Sequence, residues 1–195
     1  MGRRTETMQE NRARLIAAAR TAFARDGFAA ASMDDLTAAA GLTRGALYHN
    51  FGDKKGLLAA VVAQIDSEIA AEAHAAGQAQ SDPWQGLLVE GAVYIEMALT
   101  PEVQRIVLLD GPAFLGDPSQ WPSQNACLDA TRHKIAELVD AGVMQPVDVD
   151  AAARLLSGAA LTAALWVAAS PDPQKALPKA VDVFTRLASG LKAMP

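Results

Sequence analysis

Two short amphipathic segments separated by one tight, glycine-containing break constrain this chain more than any other feature. Ser32 opens the first, with Asp35 three residues on in a variant capping box and Leu36 and Ala40 facing inward. Gly41 stops it, and Thr43 can cap the second, in which Ala46, Leu47 and Phe51 supply the buried side. So close a pairing of short helices is the signature of a helix-turn-helix. A longer helix over Gln9 to Arg25 precedes the pair, with Leu15, Ile16, Ala19, Ala22 and Phe23 on one face and Gly27 as its left-handed stop. Asp53 caps a fourth helix on which Leu57, Leu58, Val61, Val62, Ile65 and Ile69 recur at helical spacing to about Ala75.

Composition extends the helical reading to the whole chain. Hydrophobic residues make up 51%, but aromatics only 5%, and the apolar content is carried by Ala and Leu, so an all-α fold of about nine helices is expected. After a polar break at Gly77 to Pro83, helices are predicted near 83–99, 102–109, 119–141, 148–169 and 173–192, with Thr100, Asp148 and Asp172 as starts. The segment Asp110 to Pro118, with Gly111, Pro112 and Gly116, is not expected to be continuous helix. Residues 1–55 are assigned to a helix-turn-helix head and 56–195 to a helical sensing and dimerisation domain.

Net charge is −5, yet residues 1–60 carry nine basic side chains, Arg3 and Arg4 among them, against six acidic ones. That surplus of three leaves a deficit of eight on the remainder, which suits a protein that touches phosphates with one end. Met1 and Gly2 lead into a polar stretch with neither a secretory h-region nor a myristoylation pattern, and the uncharged run from Arg154 to Asp172 is shorter than the roughly 20 apolar residues of a membrane span. It reads as a buried helix in a cytoplasmic chain with no membrane partner. The single cysteine, Cys127, excludes an intramolecular disulfide and reads as a small buried hydrophobe. His49, His74 and His133 are far apart, and there is no zinc motif, phosphate-binding glycine loop or nucleophile elbow, so nothing points to catalysis, a metal or a cofactor.

The chemistry lies in the segment from Gly41 to Leu58. Arg44, Gly45, Tyr48 and His49 fall on the face that a helix would offer to a major groove, Thr43 stands at the helix N-terminus where a phosphate can bind, and Lys54 follows in the first turn of the next helix. This segment, with Phe23, Gly27, Phe28, Ser32 and Leu36 before it, closely resembles the TetR family of regulators over about residues 9 to 65. The stretch from Val103 to Gly116 is similar to one subgroup of that family. The resemblance implies a three-helix head whose third helix reads duplex DNA. Tyr48 and Lys54 would contact phosphate and Arg44, Gly45 and His49 would face bases, with Ser32 and Thr43 at the two caps; Asn50 departs from the usual His or aromatic. Read plainly, Arg44 and Lys54 are solvated charges and Tyr48 a half-buried helix residue.

Tyr94, Met97, Leu108, Phe114, Trp121, Leu128 and Trp166 are candidates for a sensor pocket, although large apolar side chains more often simply fill core. Arg132 and His133 could orient a polar ligand group or lie on the surface. Leu155, Leu156, Ala159, Ala160, Ala163 and Trp166 on one helix, and Val181, Phe184, Leu187, Ala188 and Leu191 on the last, could form an intermolecular four-helix bundle. The expected function is a homodimeric transcription regulator, a repressor released from its operator by a small molecule. The alternatives are a helical interaction module without DNA and a small helical enzyme.

Overall fold

The computed structural model describes residues 3–193, with side chains from residue 6 onward. Met1 and Gly2, weighed above for processing signals, and the side chains of Arg3 and Arg4 lie outside the described residues.

The fold is all-α, and its elements follow the sequence punctuation closely. Helix α1 (Arg3–Asp26) begins six residues before the expected start and ends at Gly27, whose φ of 79° is the left-handed conformation the break requires. Ser32 Oγ accepts the Asp35 N–H to open α2 (Met33–Ala40), which Gly41 closes at φ 62°. Thr43 caps α3 (Arg44–Phe51) in the same way, and Asp53 caps α4 (Lys54–Gln78) through the Gly56 N–H at 2.7 Å. Helix α4 passes through the predicted polar break at Gly77, so that only residues 79–82 separate it from α5 (Pro83–Glu96).

The middle of the chain departs most from expectation. A 3₁₀ turn (Met97–Leu99) leads to a single turn α6 (Pro101–Val103), a π-helical stretch (Gln104–Asp110) and α7 (Gly111–Leu115), so helix runs on past Asp110 and breaks only at Gly116. Pro112 has no N–H to give; the wide turn before it, in which Gly111 N–H bonds to Ile106 C=O, takes up the spacing that the proline ring requires. A 3₁₀ turn (Pro118–Gln120) then precedes α8 (Pro122–Asp140), α9 (Val149–Ala169) and α10 (Pro173–Ser189).

Helices α1 to α3 pack around the first turns of α4 through Leu15, Ala19, Phe23, Leu36, Leu47, Leu57 and Leu58, all essentially inaccessible to solvent. The same buried cluster continues through Val61, Ile65, Ile95, Ile106 and Val167 to Phe184, so one apolar core joins the head to the helices beyond residue 56. A second cluster around Trp84, Ile135, Leu138 and Met144 fills the far end, where Met144 pairs with Lys192 in an isolated bridge.

The junction between α3 and α4 is especially tight. A Cβ added at Gly56 would stand 1.9 Å from the Phe51 carbonyl oxygen, a backbone atom that cannot yield without moving α3. Gly56→Ala is therefore expected to destabilise the chain by about 1–3 kcal/mol, a drop of roughly 3–10 °C in the thermal midpoint. Circular dichroism melting of the two proteins measures it.

Candidate nucleic-acid interface and cavity

Helix α3 has eight residues and is fixed at both ends, by the Thr43 cap and by Gly52 N–H bonding to Tyr48 C=O. Leu47 is fully buried beneath it and Phe51 packs against the core, so the helix cannot roll, and Arg44, Gly45, Tyr48 and His49 all stay exposed. Tyr48 is 52% exposed, so about half of it is open to a partner. Asn50 faces the other way: its side-chain amide donates to Ala46 C=O, and its backbone carbonyl accepts from Arg12, whose guanidinium lies 4.5 Å from the centre of the Phe51 ring.

Two of the predicted contacts have partners inside the protein. Arg44 forms a two-pronged ion pair with Asp34 of α2, which lowers the carboxyl's pKa and raises the guanidinium's. Both side chains are more than half exposed, so water and salt screen the pair and it can be exchanged for another anion. Lys54 is half-buried; its ammonium lies 4.5 Å from the centre of the Phe28 ring and 3.4 Å from Ala29 C=O, and loss of hydration lowers its pKa. Its charge is drawn toward the α1–α2 turn rather than projecting freely. Ser32 and Thr43 each spend their oxygen acceptor on a cap while retaining a hydroxyl proton to donate.

The head is joined to the later helices by polar contacts as well as by core. Arg20 of α1 grips Glu102 with two nitrogens at 2.7 and 2.8 Å and Glu68 of α4 with a third at 2.7 Å. Asp110 accepts the Phe28 N–H at 2.7 Å and faces Arg105 at 3.3 Å, while the Phe28 ring packs 4.5 Å from that of Phe114.

A cavity of about 170 Å³ lies among α4, α5, α8, α9 and α10. Of the seven residues predicted to line a pocket, only Tyr94 does so. Leu108 and Trp121 are buried in the main core, Met97 and Phe114 pack against it, and Leu128 packs on the second cluster. Trp166 is 51% exposed on the outer side of α9. Arg132 pairs with Asp150 and Asp129 and His133 bonds Asp129 C=O, both away from the cavity.

Sequence reasoning missed the residues that do line it, among them His74, Glu90, Gln124, Cys127 and Thr131. Leu156 and Phe184, assigned above to a subunit interface, are buried at 7% and 6% and line the cavity instead; Phe184 fits because Gly91 opposite leaves room for its ring. Leu191 is half-buried against the second cluster, and Ala159 and Ala163 are half-buried. The large apolar side chains that α9 and α10 leave to solvent are Leu155, Trp166, Val183 and Leu187, so α9 is not the buried helix expected.

Cys127 is half-buried, and burial pushes its thiol up to about 11, which keeps it neutral near pH 7. Glu90 is held by Lys134 at 2.8 Å and His74 at 3.5 Å. At the end nearer the head, Asp66 of α4 is only 2% exposed. Its Oδ2 accepts the Ser123 hydroxyl at 2.5 Å and the Gln124 amide also favours its charged form, but Oδ1 lacks a hydrogen bond of good geometry. Burial outweighs both partners and raises the carboxyl's pKa. Burial, and after it the Asp66 charge, raises the Tyr94 phenol well above its ordinary range.

Comparison with known proteins agrees with both halves of the molecule. Residues 15–61 match the family model described as bacterial regulatory proteins, tetR family, and residues 84–191 match the tetracyclin repressor-like C-terminal domain. The crystal structure of a TetR-family transcriptional regulator from Pectobacterium atrosepticum superposes with a TM-score of 0.90 at 45% identity, covering 100% of both chains. The HTH-type transcriptional repressor AcnR of Corynebacterium glutamicum is 29% identical over 143 residues, 71% of this chain and 73% of its own length. The HTH-type transcriptional regulator TtgR of Pseudomonas putida is 37% identical over 114 residues, 54% of this chain and 52% of its own.

Two outcomes are expected. Asp34→Asn frees Arg44 and removes an anion beside the exposed face of α3, so duplex affinity in a fluorescence anisotropy titration should tighten by about threefold to tenfold; weaker binding contradicts the exchange. For Asp66 the folded pKa lies above the unfolded one, so the folded state holds the extra proton, and stability falls as pH rises through the interval between the two. Asp66→Asn should therefore melt higher than the parent at pH 7, with the gap closing as the buffer is acidified toward pH 4.

Proposed function

This chain belongs to the tetR family of bacterial regulatory proteins and is a DNA-binding transcriptional regulator, and on that premise we propose that it works as a homodimeric repressor released from its operator by a small molecule in the cavity. One observation carries the reading: α3 is pinned along its buried side and capped at both ends, yet keeps Arg44, Tyr48 and His49 exposed together. That is what reading base edges requires, because a helix free to roll could not hold donors in register with a groove.

In this reading Tyr48 and the hydroxyl of Thr43 meet phosphates, Arg44 exchanges Asp34 for a base edge or phosphate, and Lys54 adds charge from the start of α4. Residues 1–55 act as the reader and 56–195 as the sensor and dimerisation domain. Leu155 and Trp166 of α9, with Val183 and Leu187 of α10, meet their counterparts in a second copy, since apolar side chains of this size gain most when withdrawn from water together. Two heads then present their α3 helices at a spacing of about 34–36 Å, or a multiple of it. Helix α4 packs Leu57 and Leu58 against the head and places Ala70, Ala73 and His74 on the cavity wall, so a ligand that moves it shifts that spacing.

The test begins with selection of genomic fragments by the purified protein, followed by titrations on the recovered sequence. Lys54→Ala should weaken all sequences alike and reduce the slope of log affinity against log salt by about 1, whereas Arg44→Ala should also change the preferred base. Leu155→Asp combined with Leu187→Asp should give a monomer in sedimentation velocity and lose on the order of 100-fold in operator affinity, the benefit of joining two half-site contacts. A chain that stays dimeric with both changes, or a monomer that binds the operator as tightly as the parent, contradicts the interface.

A further inference from the structure

We propose that the cavity takes a compact, mostly apolar amine of about one ring, whose ammonium group pairs with the buried carboxylate of Asp66; the proposal rests on reading this cavity as the effector site. Size sets the first limit. The space is about 170 Å³, and a cavity of about 150 Å³ is filled by benzene, so a single substituted ring or a branched chain of similar bulk fits. Most of the wall is apolar, with Leu87, Leu156, Ala160 and the Phe184 ring supplying contact surface.

Charge sets the second limit. Among the described residues no lysine or arginine lines the cavity, and the nearby cations, Lys134 and His74, are both turned to Glu90. An anionic ligand would meet the Asp66 and Glu90 carboxylates with no free counter-charge. Asp66 stands one helical turn before Ala70, on the stripe of α4 that continues as Ala70, Ala73 and His74 along the wall. It is 98% buried by its 2% exposure, and its Oδ1 has no hydrogen bond of good geometry, a costly arrangement unless a donor arrives.

The groups between Asp66 and the cavity favour the same chemistry. Gln124 touches both neighbours: it helps the charged form of Asp66, and its amide donates to the Tyr94 hydroxyl oxygen at only 3.3 Å. A bond of that length is readily exchanged. Tyr94 and Gln124 line the cavity and Asp66 lies behind them; a change of Gln124 rotamer would open the carboxylate to the cavity and leave three acceptors, Asp66 Oδ1, Tyr94 Oη and Gln124 Oε1, for the three N–H donors of an ammonium group. A neutral hydroxyl can satisfy only one of them and leaves the carboxylate charge unpaired.

The experiment is isothermal titration calorimetry on the full chain with benzylamine, benzyl alcohol and benzoate as probes of nearly equal size. Benzylamine should bind about tenfold or more tighter than benzyl alcohol, as expected for a hydrogen bond to a charged group, and benzoate should give no heat. Asp66→Asn should abolish the advantage of the amine while benzyl alcohol still binds, which shows the cavity intact. Equal binding of amine and alcohol, undiminished amine binding by Asp66→Asn, preferred binding of benzoate, or no binding of any probe overturns the assignment. Should the Asn variant fail to fold, the ranking of the three probes on the parent chain decides alone. Release of a bound operator fragment is read separately. Amine binding with DNA retained supports the ligand class and overturns the derepression reading; release by alcohol or benzoate but not by amine does the reverse.

Discussion

The carboxylate of Asp110 fixes where the head sits on the rest of the molecule. It accepts the Phe28 N–H at 2.7 Å, just beyond the left-handed turn at Gly27 that ends α1, and it draws Arg105 to the same turn. That close approach is open only because Gly27 has no Cβ; one placed there would stand 1.9 Å from the Arg105 guanidinium. Held this way, the Phe28 ring is clasped by Phe23, Phe114 and the ammonium of Lys54, and the start of α4 follows. The Arg20 fork to Glu102 and Glu68 makes a second tie on the other side of α1. The apolar core is continuous from Leu15 to Phe184 and apolar burial is non-directional, so these polar contacts supply the directional part of the join.

Helix α4 is thus shared by two environments along its length. Its first turns are sealed against α1 and α3, and its middle carries Asp66, the least comfortable charge in the described residues. A buried carboxyl with a raised pKa lowers stability near neutral pH, and such groups cluster where function needs them. The cost falls on the element that runs from the head to the cavity wall, the rod through which the proposed ligand response would act.

Local chemistry made the head legible. Ser32, Thr43 and Asp53 cap the helices they were expected to cap, Gly27 and Gly41 take positive φ, and the inward faces of α1, α2 and α4 follow the apolar period. The body was harder to read because its helices are apolar on more than one side. On α10, Phe184 and Leu187 are three residues apart and equally hydrophobic, yet one faces the cavity and the other solvent. Nothing local separates them; only the glycine at position 91 on another helix makes room for the ring. Trp166 was misread for the same reason. Asp66 did leave a signal, an acid four residues before Ala70 within an otherwise apolar stripe. It went unused because a lone carboxylate on a long helix is ordinarily solvated.

The π-helical stretch from Gln104 to Asp110 works as a change of phase. Its wide turn holds one residue more than a regular helix of the same rise, so side chains beyond it point about 100° away from where an uninterrupted α-helix would aim them. Gln104, at its start, reaches the Ala168 carbonyl on α9, while Asp110, at its end, reaches the Phe28 N–H. A helix of constant pitch could not serve both neighbours from these positions. The extra residue therefore acts as a spacer in angle rather than in length, and losing it would leave every helix formed while turning Phe114 away from the aromatic cluster beneath the head.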